Sequence, residues 1–531
     1  MPDSRTWQVV AGSAALGLAL AVGAVTASGP WDSGQRKAER DRAVTGGVRG
    51  GAHHFGDRAA ADPHRPAPAP SAPAVLGALG TTGGPGSHGN APSSTITRPG
   101  DDPAALAAAL TPLLADPGLG PLRTATVVDA TTGKRLYGEG ASTPMTPAST
   151  IKIATTAAAL SALGPRHRIA TTTVASPDGR TVTLVGGGDP TLDRTRLKAL
   201  AEATARAVKA SGARTSGASG NGAPASGTTA SGTAGAEAPE SVRLAYDTSL
   251  YQGPVLHPIG PNENISPVTA LMTDEGRLDH SHHGPAPRSA DPAGDTATAF
   301  AGLLEEAGLT VQGDPRPAKA PKGARPLART DSASLDDLVE RTLTHSDNDL
   351  AEALARQTAL AHHRPASFAG AQQAVHDELG RLGLPLAGTR FADGSGLDRA
   401  DRVTGALLTG VLTRAADPAR PTLRTVLTGL PVGGFSGTLA GRFDATAGSA
   451  AEGAGLVHAK TGTLTGVNTL AGTVVTADGR LLAFAFLTGR TSAPDAAQSA
   501  LDRLAAALTR PVGAAAGPAG TTGPGKKQQP H

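Results

Sequence analysis

The sequence predicts an α+β fold in which an antiparallel sheet is flanked by helices. Three observations point there: a hairpin pattern early in the chain, a second one late, and apolar helical runs between them. Residues 124–140 (TATVVDATTGKRLYGEG) alternate apolar and polar positions and turn at Thr132-Gly133-Lys134. Pro147 and Ser149 then precede the Ala-rich run IKIATTAAALSAL, as at a helix start. Residues 171–188 read as strands closing on a Gly-rich turn, and residues 291–313 as a helix followed by a strand. Two helical runs, LDDLVERTL and DLAEALARQTAL, flank Ser346. The late hairpin, residues 469–489, turns at Asp478-Gly479, and an amphipathic helix over 494–509 follows it.

Composition narrows the chemistry. The 531 residues include 69 Gly, 42 Pro and 13 aromatics, and Cys is absent. That excludes disulfides, thiolate metal sites, iron–sulfur clusters and a Cys nucleophile. So few aromatics argue against a base-stacking nucleic-acid platform, and 48 basic against 45 acidic residues give no strong field for an anionic partner.

Residues 7–27 carry no charge and are long enough to cross a bilayer as a helix, and Val25-Thr26-Ala27 offers small residues for cleavage. Residues 1–27 are therefore expected to be a signal peptide or membrane anchor. Arg5 stands alone before the segment while Arg36, Lys37, Arg40 and Arg42 follow it, which is the wrong bias for an outside C-terminus. Residues 28–100 read as a disordered Pro/Gly-rich linker, residues 211–239 as a disordered surface loop, and residues 511–531 as a disordered tail.

With Cys absent, a nucleophile must be Ser, Thr, Lys or a carboxylate. Ser149 and Lys152, spaced i, i+3 at a helix start, place a hydroxyl and an amine one turn apart on one face. The amine can take the hydroxyl proton once burial lowers its pKa, and the helix N-terminus supplies a free N–H for an oxyanion. Ser346-Asp347-Asn348 presents hydroxyl and amide groups from an inter-helix loop. Lys460-Thr461-Gly462-Thr463 sits on a strand edge, where Gly462 permits close backbone approach. There the Thr463 N–H can pair with the Ser149 N–H as an oxyanion hole, and Lys460 can face an anionic group.

S-x-x-K, S-D-N and K-T-G in that order resemble the penicillin-binding proteins and serine β-lactamases. The intervals are 197 residues from Ser149 to Ser346 and 114 from Ser346 to Lys460, and the long first one resembles the inserted domains of the low-molecular-mass class C penicillin-binding proteins. That group is the D-alanyl-D-alanine carboxypeptidase/endopeptidase family, and the likeness is to its actinobacterial type. The Glu-x-x-Leu-Asn expected of a class A β-lactamase is missing between Asn348 and Lys460. Gly186-Gly187-Gly188-Asp189-Pro190, Val268-Thr269-Ala270-Leu271, Asp274-Glu275-Gly276 and Asp393-Gly394-Ser395-Gly396-Leu397 also resemble the family.

The resemblance implies a penicillin-binding/β-lactamase-like transpeptidase fold with inserted accessory domains. Residues 101–170 and 291–510 would form the catalytic domain, and residues 171–290 the inserted region. It implies a serine-type peptidase that removes the terminal D-alanine of peptidoglycan stem peptides through an acyl-enzyme, with β-lactams as inhibitors. Ser149 would be the nucleophile, Lys152 the base, Ser346 the proton relay and Asn348 a substrate ligand. Lys460, Thr461 and Thr463 would hold the substrate carboxylate, and Gly462 would belong to the same substrate-binding strand. No metal or cofactor and no nucleic acid is implied. The enzyme would work outside the cytoplasm, secreted or tethered to the membrane through residues 1–27. The alternatives are a β-lactamase-like hydrolase on the same scaffold and a catalytically silent cell-wall binding protein. The histidines at 280, 282, 283, 362 and 363 are read as solvated loop residues rather than zinc ligands.

Overall fold

The structure, a computed structural model, describes residues 103–217 and 241–510. The expected leader over 1–27, the linker over 28–100 and the tail over 511–531 lie outside the described residues. Among the described residues, no helix is long and apolar enough to cross a membrane.

Helix α1 (Pro103–Leu114) leads into β1 (Leu122–Asp129) and β2 (Arg135–Glu139), the early hairpin. The late hairpin is β10 (Val467–Val475) and β11 (Leu481–Gly489), preceded by β9 (Val457–Leu464). These strands form one antiparallel sheet in the order β2-β1-β11-β10-β9, with Thr126 opposite Ala485 and Lys460 opposite Ala471. The central β10 and β11 are buried on both faces, which is why they read as near-continuous apolar runs.

Helices cover both faces. On one side Leu106 and Leu110 of α1 pack with Phe484, Phe486 and with Leu501 and Leu504 of α9 (Pro494–Ala507). The other side holds α2 (Lys152–Leu163), α5 (Leu335–His345), α6 (Asn348–Ala361), α7 (Phe368–Arg381) and α8 (Gly405–Ala416). Here Ala157, Ala158 and Ala159 of α2 are fully buried, and their small side chains let neighbouring elements approach closely.

A second sheet is mixed: β3 (Ala170–Ala175), β4 (Thr181–Val185), β5 (Ser241–Asp247), β6 (Thr310–Val311) and β8 (Arg325–Asp331) lie in the order β6-β5-β4-β3-β8, with β7 (Arg316–Pro317) paired to β5. β4–β5 and β5–β6 pair in parallel, because α3 (Arg194–Gly217) and α4 (Pro292–Glu306) supply the crossovers. Phe300, Leu303 and Leu304 of α4 share a core with Val182 and Leu244.

Two boundaries move. The inserted region was expected to close at residue 290, but α4 and β6–β8 belong to the second sheet, whose pairing runs to Asp331. An apolar helix face carries no label for the sheet it will cover. The disordered loop was expected from 211, yet α3 continues through Gly217, since extending a formed helix costs far less than starting one. The remainder of that expected loop lies outside the described residues.

Candidate active site

Ser149 sits on a 3₁₀ turn (Ala148–Ile151) that runs straight into α2, so Lys152 opens the helix one turn later. Ala148 adopts a left-handed backbone (φ 47°), a conformation costing roughly 1–2 kcal/mol that the surrounding contacts hold. The turn is clasped by the late hairpin: Thr469 Oγ1 and Thr150 Oγ1 both donate to the Pro147 carbonyl at 2.7 Å. Gly462 lies against the same turn, and a Cβ there would stand 2.6 Å from the Pro147 oxygen and 3.1 Å from the Ser149 nitrogen.

Lys152 is fully buried, and its Nζ has three oxygen partners: Ser149 Oγ at 3.0 Å, Asn348 Oδ1 at 2.7 Å and the Ser395 carbonyl at 2.6 Å. Burial lowers its pKa to about 8, against the opposing pull of Asp393, Asp347, Glu352 and Asp401. Two of the partners can only accept. A neutral amine must therefore donate its two N–H groups to Asn348 and Ser395, which leaves the lone pair facing the Ser149 hydroxyl.

Ser346 closes α5 in the left-handed conformation (φ 60°), and Asp347 caps α6 by accepting the Leu350 N–H at 3.0 Å. The cap turns Asn348 inward, where its Nδ2 donates to the Asn264 carbonyl at 2.9 Å. On β9, Lys460 is fully buried and donates to the Thr461 carbonyl at 2.9 Å. Burial, and then the charges of Lys152 and Arg442, push its pKa well below the usual lysine value. Thr461 Oγ1 donates to Thr438 Oγ1 at 2.9 Å. Ser149, Ser346, Asn348, Thr463, Thr438 and Asn264 all line one cavity of about 270 Å³.

Among the described residues, two buried groups have ligand-type atoms within 4.8 Å of one another: His257–Glu352–Asp393 and Glu275–Asp347–Asp349. Protein partners already occupy both. Glu352 Oε1 accepts the Gly394 and Ser395 N–H groups at 2.9 Å, and Asp393 accepts those of Gly396 and Asp398. The second group is closed by arginines: Arg277 on Glu275 at 2.8 Å, Arg288 on Asp349 at 3.0 Å and Arg341 on Asp347 at 3.2 Å. Burial, then Asp347, pushes Glu275 up to about 9.

The sequence-predicted site residues thus converge on one cavity and its walls. A family model described as the D-Ala-D-Ala carboxypeptidase 3 (S13) family matches residues 106–219 and 275–508. The chain belongs to this family. It is a serine-type D-alanyl-D-alanine carboxypeptidase. The chain is 36% identical over 419 residues to carboxypeptidase DacB of Mycolicibacterium smegmatis, covering 76% of this chain and 83% of that one. It is 31% identical over 449 residues to the D-alanyl-D-alanine carboxypeptidase of an Actinomadura species, covering 72% and 80%. Its fold matches penicillin binding protein 4 of Haemophilus influenzae with a TM-score of 0.57 at 20% identity, over 74% of this chain and 97% of that one. The transpeptidase-type fold expected from the motifs is the fold observed.

In this carboxypeptidase several site residues escaped the sequence reading. Asn264, Thr438, Glu352 and His257 carried no motif of their own, and Ser395 was visible only within the Asp393–Leu397 stretch. One histidine reading is corrected: His362 is no solvated loop residue, because its side chain is only 5% exposed and its Nε2 lies 2.9 Å from Glu378 Oε2. His283 and His345, by contrast, are exposed and stack their rings 4.6 Å apart at the rim of the cavity.

Proposed function

We propose that Ser149 is the nucleophile and Lys152 its general base in cleavage of the terminal D-Ala-D-Ala bond of peptidoglycan stem peptides. The observation that carries this is the 3.0 Å approach of Ser149 Oγ to a buried Lys152 whose other two partners are obligate acceptors. The Ser149 oxygen attacks the carbonyl of the penultimate D-alanine while its proton passes to Lys152 Nζ. The oxyanion that forms is met by the N–H groups of Ser149 and Thr463. As the C–N bond breaks, the proton returns through Ser346 to the leaving D-alanine amine, and Asn348 holds the substrate amide. Lys460, Thr461 and Thr463 receive the terminal carboxylate, with Gly462 giving the strand room to lie against Ser149. Water then hydrolyses the ester, releasing the shortened peptide and regenerating Ser149.

A β-lactam offers the same carbonyl, but its amine stays tethered after ring opening, so the ester persists. In support, the Haemophilus neighbour was also solved with a β-lactam bound. A peptidoglycan substrate places the enzyme outside the cytoplasm, secreted or tethered through residues 1–27. The test is intact-mass measurement after incubation with a labelled penicillin. The wild type is expected to gain one adduct and Ser149→Ala none; an adduct on the variant, or none on the wild type, overturns the assignment. Fast turnover of the penicillin in place of a lasting adduct would mark a β-lactamase.

A further inference from the structure

The loop between β5 and α4 brings His257 to Asp393 and Asn264 to Asn348. Its His257 is buried at 3% exposure, with Nε2 3.0 Å from Asp393 Oδ2. The Ile259 N–H faces the other ring nitrogen, Nδ1, at 3.3 Å. A backbone donor at Nδ1 requires an acceptor there, so the ring hydrogen resides on Nε2 and is donated to Asp393. Phe368 fixes the ring plane by edge-on packing at 5.4 Å.

Asp393 in turn builds the tight turn after it. Its carboxylate accepts from Gly396 N at 2.6 Å, Asp398 N at 2.7 Å and Ser395 Oγ at 3.2 Å. Gly396 is held at φ 86°, where a Cβ would lie 2.1 Å from the Ala148 oxygen, so the turn is wedged against the residue preceding Ser149. The output of this turn is the Ser395 carbonyl on Lys152. Seven residues after His257, the Asn264 carbonyl receives Asn348 Nδ2–H and thereby orients Oδ1 toward Lys152.

We propose that the 257–264 loop is the positioning element of the Lys152 amine, His257 setting the Ser395 carbonyl through Asp393 and Asn264 setting the Asn348 amide. Both fixed acceptors of the amine are thus placed by one segment outside the three motifs. His257 touches no substrate and acts through Asp393, so it is a positioning residue. The inference rests on Lys152 being the base. It also gives the inserted sheet a role in catalysis, since displacement of this loop would release both acceptors together.

The titratable groups facing Lys152 are Asp347 and Glu352 around α6, Asp393 and Asp401 from the turn region, and Lys460 from β9. Those facing His257 are Asp393, Glu352 and Asp398. His257→Leu fills the space without a donor, and His257→Asn keeps polarity but falls short of Asp393. His257→Gln places an N–H near the position of Nε2. The measurement is the second-order rate constant for acylation by a fluorescent penicillin from pH 6 to 10, with KM and kcat for D-alanine release alongside.

For the Leu and Asn variants, the rate on the alkaline plateau is expected to fall by about 10- to 100-fold. The pH midpoint should move down, because a buried ammonium that loses an acceptor is easier to deprotonate. KM should stay within about twofold, and Gln should restore the rate to within about threefold of wild type. Whichever of the Leu and Asn variants folds carries the test. A wild-type rate and midpoint in that variant, or an equal loss in Gln and Leu, overturns the proposal. Failure of the base assignment itself reads differently: the wild type would then show no pH midpoint near that of Lys152.

Discussion

Asp401 is fully buried, with Oδ1 accepting the N–H groups of Ala392 at 2.6 Å and Asp393 at 3.3 Å. Burial, followed by the ionised Asp393 beside it, pushes its pKa up to about 10. Burial raises Asp393, but the hydrogen bonds it receives from His257, Asp401 and the Gly396 N–H lower it more, and it is held down at about 2. At neutral pH the folded protein therefore keeps a proton on Asp401 that the unfolded chain, with a carboxyl near pKa ~3.9, has released. A group raised on folding favours the fold below its unfolded pKa and loses that advantage as pH climbs toward the folded value. At pH 7 the gap is roughly three units at ~1.4 kcal/mol each, about 4 kcal/mol in all. Asp401→Asn keeps the Oδ1 acceptor and substitutes an amide N–H for the acid O–H toward Asp393, with no proton to take up. The variant should be more stable than wild type by about 2–4 kcal/mol at pH 7, by almost nothing near pH 4, and by more at pH 9. Urea unfolding followed by far-UV circular dichroism at these values measures it, since both tryptophans, Trp7 and Trp31, lie outside the described residues. A variant less stable than wild type at pH 8, or a difference that does not change with pH, would refute the reasoning.

Two further outcomes follow from the site. Because Lys152 must be neutral to accept the Ser149 proton and titrates at about 8, acylation should rise about tenfold per pH unit below that value and level off above it. A rate that falls over pH 6–8 in stopped-flow acylation would remove Lys152 as the base. Gly462→Ala places a Cβ 2.1 Å from Thr469 Oγ1 as well as against the Pro147 oxygen, so β9 must move away from the nucleophile turn. A loss of at least ~100-fold in acylation is expected, with a smaller effect on melting, and near-normal adduct formation by mass would contradict that packing.

Much of this enzyme is legible in its sequence. A serine and a lysine three residues apart at a helix start can meet only across one turn, and that contact is local enough for spacing to encode it. The two hairpins were likewise legible, because alternation and a Gly turn are short-range signals, as Gly133 and Gly479 in their left-handed turns bear out. The inserted sheet was only half seen. Its strands announced themselves, but whether α4 and β8 join it or the first sheet depends on packing partners far along the chain.

What the sequence determined by itself was the spacing of Ser149 and Lys152, the order of the three motifs and the family they mark. What the tertiary structure alone decided was the direction in which the lysine lone pair points. That direction is set by acceptors 196 and 243 residues away from Lys152, and by a histidine and a carbonyl that belong to no motif. Hydrogen-bond direction in a buried site follows from which segments pack together, and no local pattern of residue types records it.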